Sequence, residues 1–396
     1  MNRALGLGAA LLALYLPPAA AIDLGENAQM HGFVSQGVVH TSDNRVGGGS
    51  DDGLAADMRE LGLNLSWRPN SDWMLSAQAL ARWAGAADEG EPRLDYGFVD
   101  RSLFSSDSSH VGLRLGKVKN PLGFYNTTRD VAHTRPGATM PQSIYLDRVR
   151  NFYLAAPGAS LYGLHTLDRW EANWSLNFVR PEADDVDLEY LLLLNNWSGH
   201  IQGRPSWLGQ LMLDRDGGRW RFGLTVGNIN MRYKPAGVLD PIQAGEHNLD
   251  TWVLSAQRNA EKWSLTAEYS QTDNKVGDYG FAFPVFAIRN STNTVESWYV
   301  QGLWRPAQDW SVYLRRDEIY LNNKDKDGIS YGLLFPGQGH ATYGKSWTLG
   351  ARRDLGAWSF WAEWARVDGG LWLSPQEMPN PKKEWDMLML QAAWRF

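Results

Sequence analysis

The side chains best placed to do chemistry in this chain are clustered charges. Between Lys117 and Arg150 stand six basic residues, Lys117, Lys119, Arg129, Arg135, Arg148 and Arg150, against two acids, Asp130 and Asp147, with His133 among them. The chain as a whole carries a net charge of −6, so this segment runs against its own background. Basic groups lining a narrow, low-dielectric path focus a positive field and favour anions. Other chemistry finds little support. The eight His are dispersed, and no H-E-x-x-H, G-x-S-x-G, Walker or G-x-G-x-x-G pattern occurs. With no Cys there is no thiolate metal site, disulfide or Cys nucleophile. Asn323, Asp325, Asp327 and Gly328 copy the first half of a calcium loop, but Leu334 stands where the bidentate Glu belongs, so they form a weak metal candidate. No cofactor is implied. A sequence pI of about 5.8 argues against nucleic acid as a partner.

The elements that must hold these charges alternate with period two. Leu61, Leu63, Leu65 and Trp67 share one face of a strand, with Glu60, Gly62, Asn64 and Ser66 on the other. The same alternation runs through Trp170–Phe178, Trp263–Tyr269, Trp310–Asp317 and Trp358–Trp364. Helical spacing fits none of them. The polar phase carries Arg82, Arg114, Glu171, Glu268, Tyr313, Arg315, Asp317, Arg352 and Glu363, the candidate lumen wall. Tyr313 and Trp361, with Phe124 and Tyr125, are too scattered for an aromatic sugar track.

Short polar turns end in a Trp that opens the next strand, at Trp73, Trp170, Trp220, Trp263, Trp310 and Trp358. From Trp170 the spacings are 50, 43, 47 and 48 residues. Each period holds a short turn, a strand, a long Gly/Asp/Asn/Pro-rich loop and a second strand. This predicts an all-β, up-and-down antiparallel barrel of sixteen strands. Trp73, Trp170, Trp220, Trp263, Trp310, Trp358, Trp394 and Phe396 would form an aromatic girdle at one membrane interface. Expected spans include 28–41, 57–67, 159–167, 204–214 and 385–396, and the stretch 118–158 reads as one long loop without alternation. A loop of that length in a compact fold is usually functional.

Residues 1–21 combine Arg3, an apolar run from Ala4 to Leu16 and the Ala19–Ala21 site, so a cleaved export signal is expected, followed by one barrel domain over 22–396. Mean hydropathy is −0.40, and no later apolar run, Leu191–Leu194 among them, approaches 18 residues. Spanning helices are therefore excluded. The acidic runs Asp51-Asp52, Glu182–Asp187 and Asp325/Asp327 suit a divalent-bridged lipopolysaccharide surface.

The last strand carries Leu388, Leu390, Ala392, Trp394 and Phe396 on one face and stops there. With the signal segment, the sixteen strands and the long third loop, it resembles the Gram-negative outer-membrane porins. The resemblance implies a cell outer membrane location, a third loop folded into the lumen, a homotrimer, and a terminal Phe read by the outer-membrane assembly machinery. It also implies a non-enzymatic, water-filled channel for passive diffusion of small hydrophilic solutes and ions, leaning here toward anions. The acidic Pro-Glu-Phe-Gly motif of enterobacterial porins is absent. Other readings stay open: an adhesin or structural barrel, a barrel enzyme using His110 or His165 on the wall, and a periplasmic β-propeller, whose blades repeat at a similar length.

Overall fold

The computed structural model describes residues 22–277, 279 and 291–396. The expected export signal over 1–21 lies outside the described residues. Sixteen long strands follow in chain order: β1 Ala28–Thr41, β2 Ala55–Trp67, β3 Trp73–Ala84, β4 Arg93–Ser105, β5 Ser109–Lys119, β6 Ala155–Leu167, β7 Trp170–Val179 and β8 Ser206–Arg215. They continue as β9 Trp220–Lys234, β10 Gly245–Asn259, β11 Trp263–Gly277, β12 Ser291–Ala307, β13 Trp310–Tyr320, β14 Tyr343–Leu355, β15 Trp358–Asp368 and β16 Glu384–Arg395. Each pairs antiparallel with its sequence neighbour, and β16 returns to β1 from Arg395 opposite Phe33 to Met387 opposite Thr41. The sheet is a closed barrel, so no backbone edge is left to face an apolar solvent unsatisfied.

The sixth strand begins at Ala155, earlier than the expected 159, because Ala155 to Gly158 already pair with Lys119 to Gly116 across β5. The eighth begins at Ser206. Just before it, the short segment His200–Gly203 continues the same ladder against β9, and the two are separated at Arg204-Pro205. Proline has no N–H to give to a ladder. The turns on the Trp side stay tight. Asp168 takes φ 52° between β6 and β7, a left-handed conformation that a short polar side chain tolerates.

The outward phase is apolar through the middle of the barrel. Leu61, Leu63 and Leu65 are 44–46% exposed while their inward neighbour Glu60 is 6% exposed. Toward the long-loop end of β9 to β11 the two faces exchange character. On β9, Phe222 and Leu224 point outward below, but above them Asn228 and Asn230 do so, and Ile229, Met231 and Tyr233 are buried inside. Outward Asn228 donates to Asn248 and Asp250 at 3.1 and 2.6 Å. The interior there is a packed apolar core joining Leu208, Met231, Leu249 and Leu146. The expected polar inward phase therefore fails in this upper region, where the strands follow the rule of water-soluble sheets, polar outside and apolar within.

The Trp residues that open alternate strands line up at the short-turn end. Arginines of the adjoining strands lie over them: Arg258 over Trp220 at 4.3 Å, Arg101 over Trp73 at 5.1 Å and Arg353 over Trp310 at 5.3 Å. Trp394 meets Trp358 across β15 and β16, and Phe396 packs on Trp394 at 5.1 Å. At the other end of the outward band, Trp252 packs on Tyr269 at 5.4 Å and Arg316 lies over Trp347.

Candidate functional site in the barrel lumen

The connection from Asn120 to Leu154 ends in the short helix α1, Arg150–Leu154. Its base is closed by Asn126, whose amide donates to the carbonyls of Asn120 and Tyr153 at 2.9 and 2.8 Å. Further hydrogen bonds tie it to inward-phase wall residues around the barrel. On β11, Glu268 accepts from the Phe124 N–H at 2.9 Å and from the hydroxyls of Tyr145 and Tyr299 at 2.6 and 2.7 Å. Ser255 donates to the same carboxylate. On β15, Glu363 accepts from the Thr139 hydroxyl and from Tyr313, whose oxygen accepts from the Ala138 N–H at 3.2 Å. Arg315 donates to the Thr139 carbonyl at 3.2 Å, and Gln301 to that of Pro136 at 3.1 Å. On β2, both Glu60 oxygens accept from one Arg135 nitrogen at 2.7 Å. Arg352 of β14 donates to the His133 carbonyl at 2.9 Å.

Each of the six basic residues of this connection and its root has a carboxylate partner. Lys117 meets Glu182 at 2.7 Å, Lys119 meets Asp130 at 2.9 Å, and Arg129 meets Asp147 at 3.0 Å. Arg135 meets Glu60 at 2.7 Å, Arg148 meets Asp187 at 3.5 Å, and Arg150 meets Asp95 at 2.8 Å. Arg82 sits between Glu60, Asp88 and Asp147. Burial by itself would raise the Asp147 carboxyl, but Arg82, Arg129 and Arg150 hold it well below the usual carboxylate range. Burial brings the Arg129 guanidinium down to about 10. The positive excess seen in the sequence is thus matched, pair by pair, by acids brought from elsewhere.

Asp88, Asp95 and Asp187 were not singled out in the sequence. Asp95 turns inward at a register shift in β4, between Leu94 opposite Ala79 and Tyr96 opposite Gln78, which strand phase alone does not reveal. Asp187 belongs to the acidic run expected on the outer surface. The structure instead turns it inward, 2% exposed, onto Arg148, and places Glu182 on Lys117. Asp325 likewise has another role: its oxygens accept the N–H groups of Ile329 and Ser330 at 2.8 Å, which starts the helix Ile329–Leu334. Among the described residues no cluster of three or more metal-ligating side chains is present.

The lumen-wall candidates all lie on the inward phase, but in two settings. Arg82, Glu268, Tyr313, Arg315, Asp317 and Glu363 are buried beneath the connection. Arg114, Glu171 and Arg352 lie toward the short-turn end, where Arg114 pairs with Asp100 at 2.9 Å and Arg352 with Asp354 at 2.8 Å. Arg305 and Arg395 share that inward phase, and no carboxylate of the described residues lies within 4.0 Å of either. Tyr313, Trp361 and Phe124 are covered, at 2%, 3% and 8% exposure, so they present no open track. His165 is not on the inner wall. It faces outward, bonded to Ser109 at 3.0 Å and stacked beside Trp174, and no described carboxylate joins the pair.

No family model matches the sequence, and no curated protein does. Solved structures match by fold. Salmonella typhi OmpF in complex with daunomycin aligns with TM-score 0.58 and 11% identity over 95% of this chain and 100% of that one. The outer membrane channel DcaP of Acinetobacter baumannii gives 0.57 and 13%, over 96% and 100%. OmpT, an outer membrane protein of Vibrio cholerae in its trimer form, gives 0.53 and 9%, over 93% and 99%. The chain therefore has the closed sixteen-stranded barrel of the porin-like outer-membrane proteins.

Proposed function

We propose that this chain is an outer-membrane porin: a water-filled channel that passes small hydrophilic solutes and ions by passive diffusion, exported by an N-terminal signal and working as a homotrimer. The observation that carries the reading is a closed barrel with an apolar outward band and a long connection latched to its inner wall. Likeness in fold to outer-membrane channels supports it. The Trp rows are proposed to sit at the two membrane interfaces, where an amphipathic ring is comfortable.

The paired loop charges act first as latches. An ion pair presents a dipole rather than a net charge to a passing solute, so the selectivity they impart is weak. The remaining anion lean is assigned to the short-turn side of the lumen, where Arg305 and Arg395 face inward without a carboxylate partner. Conductance of the purified, reconstituted protein in planar bilayers is the test. Large steady steps with a slight anion preference are expected. Absence of steps would favour the adhesin, structural or enzyme readings.

A further inference from the structure

Beside the packed core at one end of the lumen a cavity remains open. Helix α2, Val186–Leu193, lies inside the barrel mouth, with the Asp185 side chain accepting from the Leu188 N–H at 2.9 Å at its start. Leu188 is 3% exposed and packs into the upper core. The run that follows is different. Leu191, Leu192 and Leu193 are half-buried and Leu194 is 39% exposed, although water surrounds any channel mouth. These leucines look into a cavity of about 380 Å³ whose floor is Leu122 and Ile144 of the latched connection. The inward faces of β10 to β12 also line it with uncharged polar side chains, Thr251, Ser270, Thr272, Asn274, Asn293 and Ser297, interleaved with the apolar Leu249, Val253, Val276 and Val295. Asp325 is the single charged side chain of the described lining, and both its oxygens are already taken by backbone N–H groups. Above, Leu334 lines the entrance and is 64% exposed. A cavity lined mainly by apolar side chains, with hydroxyl and amide groups among them and no free charge among the described residues, has the makeup of a small-molecule site, in which apolar contact supplies affinity and a few polar groups set orientation.

We propose that this cavity binds neutral amphipathic solutes, an apolar body lying on Leu191–Leu194 and a hydroxyl- or amide-bearing edge facing the Ser/Thr/Asn groups, ahead of the latched connection. The proposal rests on the channel reading for its purpose, since it names the solute class that the channel concentrates at its outer mouth. Burial of the apolar body drives the binding, and charge gives a solute no advantage there. A hydrophilic sugar without an apolar group gains little from the site.

The test uses para-nitrophenyl glucoside, which is neutral and water-soluble, with glucose as its match lacking the aryl group. Equilibrium dialysis of the full-length protein in detergent, against detergent alone, reads binding whether or not the protein conducts. Saturable binding of the aryl glucoside and none of glucose are expected. Leu191→Gln should weaken binding about tenfold, the change that about 1.4 kcal/mol produces. Leu334→Gln, on a side chain too exposed to support folding, should weaken it by a smaller factor. Equal uptake of both sugars, or affinity unchanged in both variants, overturns the proposal. Planar-bilayer conductance of the same samples separates the two readings: binding without conductance sinks the channel and leaves the site, and conductance without binding does the reverse.

Discussion

At the residue scale, Glu268 and His133 carry most of what can be tested. Glu268 holds a backbone N–H, two phenols and a serine hydroxyl on one buried carboxylate. Glu268→Ala leaves these donors facing a void, and each lost bond to a charged group is worth about 1.5–3 kcal/mol. The connection should lift from β11, and single-channel current should become noisier, with added open levels. His133 is 7% exposed, and neither ring nitrogen has a partner among the described residues. Burial, followed by the positive charges of Arg395 and Arg352, brings its imidazole from 6.5 down to about 4. The docked connection therefore keeps this ring neutral while a released one takes a proton. Its contribution to docking is complete above pH 6.5 and drains away as the pH falls toward about 4. Current fluctuations should grow over that window in the wild type, and His133→Gln should flatten the growth. A profile that is the same in both proteins would remove His133 from the account. Gly62 is a stability case. A Cβ there would lie 2.0 Å from Cε1 of the buried Phe33, so Gly62→Ala should cost about 1–3 kcal/mol and lower the temperature at which the folded barrel loses its compact electrophoretic band.

At the scale of elements, the strands were legible and their contents less so. Period-two alternation and the recurring Trp located all sixteen strands, because a wall with an apolar outer and a polar inner face imposes its pattern on each strand separately. Toward the long-loop end of β9 to β11 that rule lapses. Nothing local in Ile229, Met231 and Tyr233 says which face is inward, since their alternation with Asn228, Asn230 and Arg232 reads equally well with either face buried. The pairing of the connection was hidden for a different reason. Arg150 and Asp95, or Arg135 and Glu60, are far apart in sequence and meet only when the barrel closes. Charge balance over a segment counts what the segment contains, not what the wall brings to it. Of the eight charges named from that segment, Arg135, Asp147 and Arg150 bond to the wall, through Glu60, Arg82 and Asp95.

At the scale of the whole molecule, the matched charges set the expectation for permeation. Lys119→Glu with Arg135→Glu would place new carboxylates beside Asp130 and Glu60 and leave four acids where two pairs had stood. The reversal potential under a salt gradient should then swing clearly toward cations, while the single Arg305→Gln change should erase only a slight anion lean. If the double variant leaves the reversal potential where it was, the connection does not border the conducting path.

The exchange of faces along β9 to β11 divides this barrel into two materials. On the outer-membrane reading its lower part is held in shape by lipid, but its outer collar is built like an ordinary water-soluble protein, around an oily centre of its own. Such a collar draws its cohesion from water, so that cohesion fades on cooling and in urea. Chilled or urea-treated cells should therefore loosen the rim first, exposing Leu208, Met231 and Leu249 to proteases added from outside while the belt beneath stays whole.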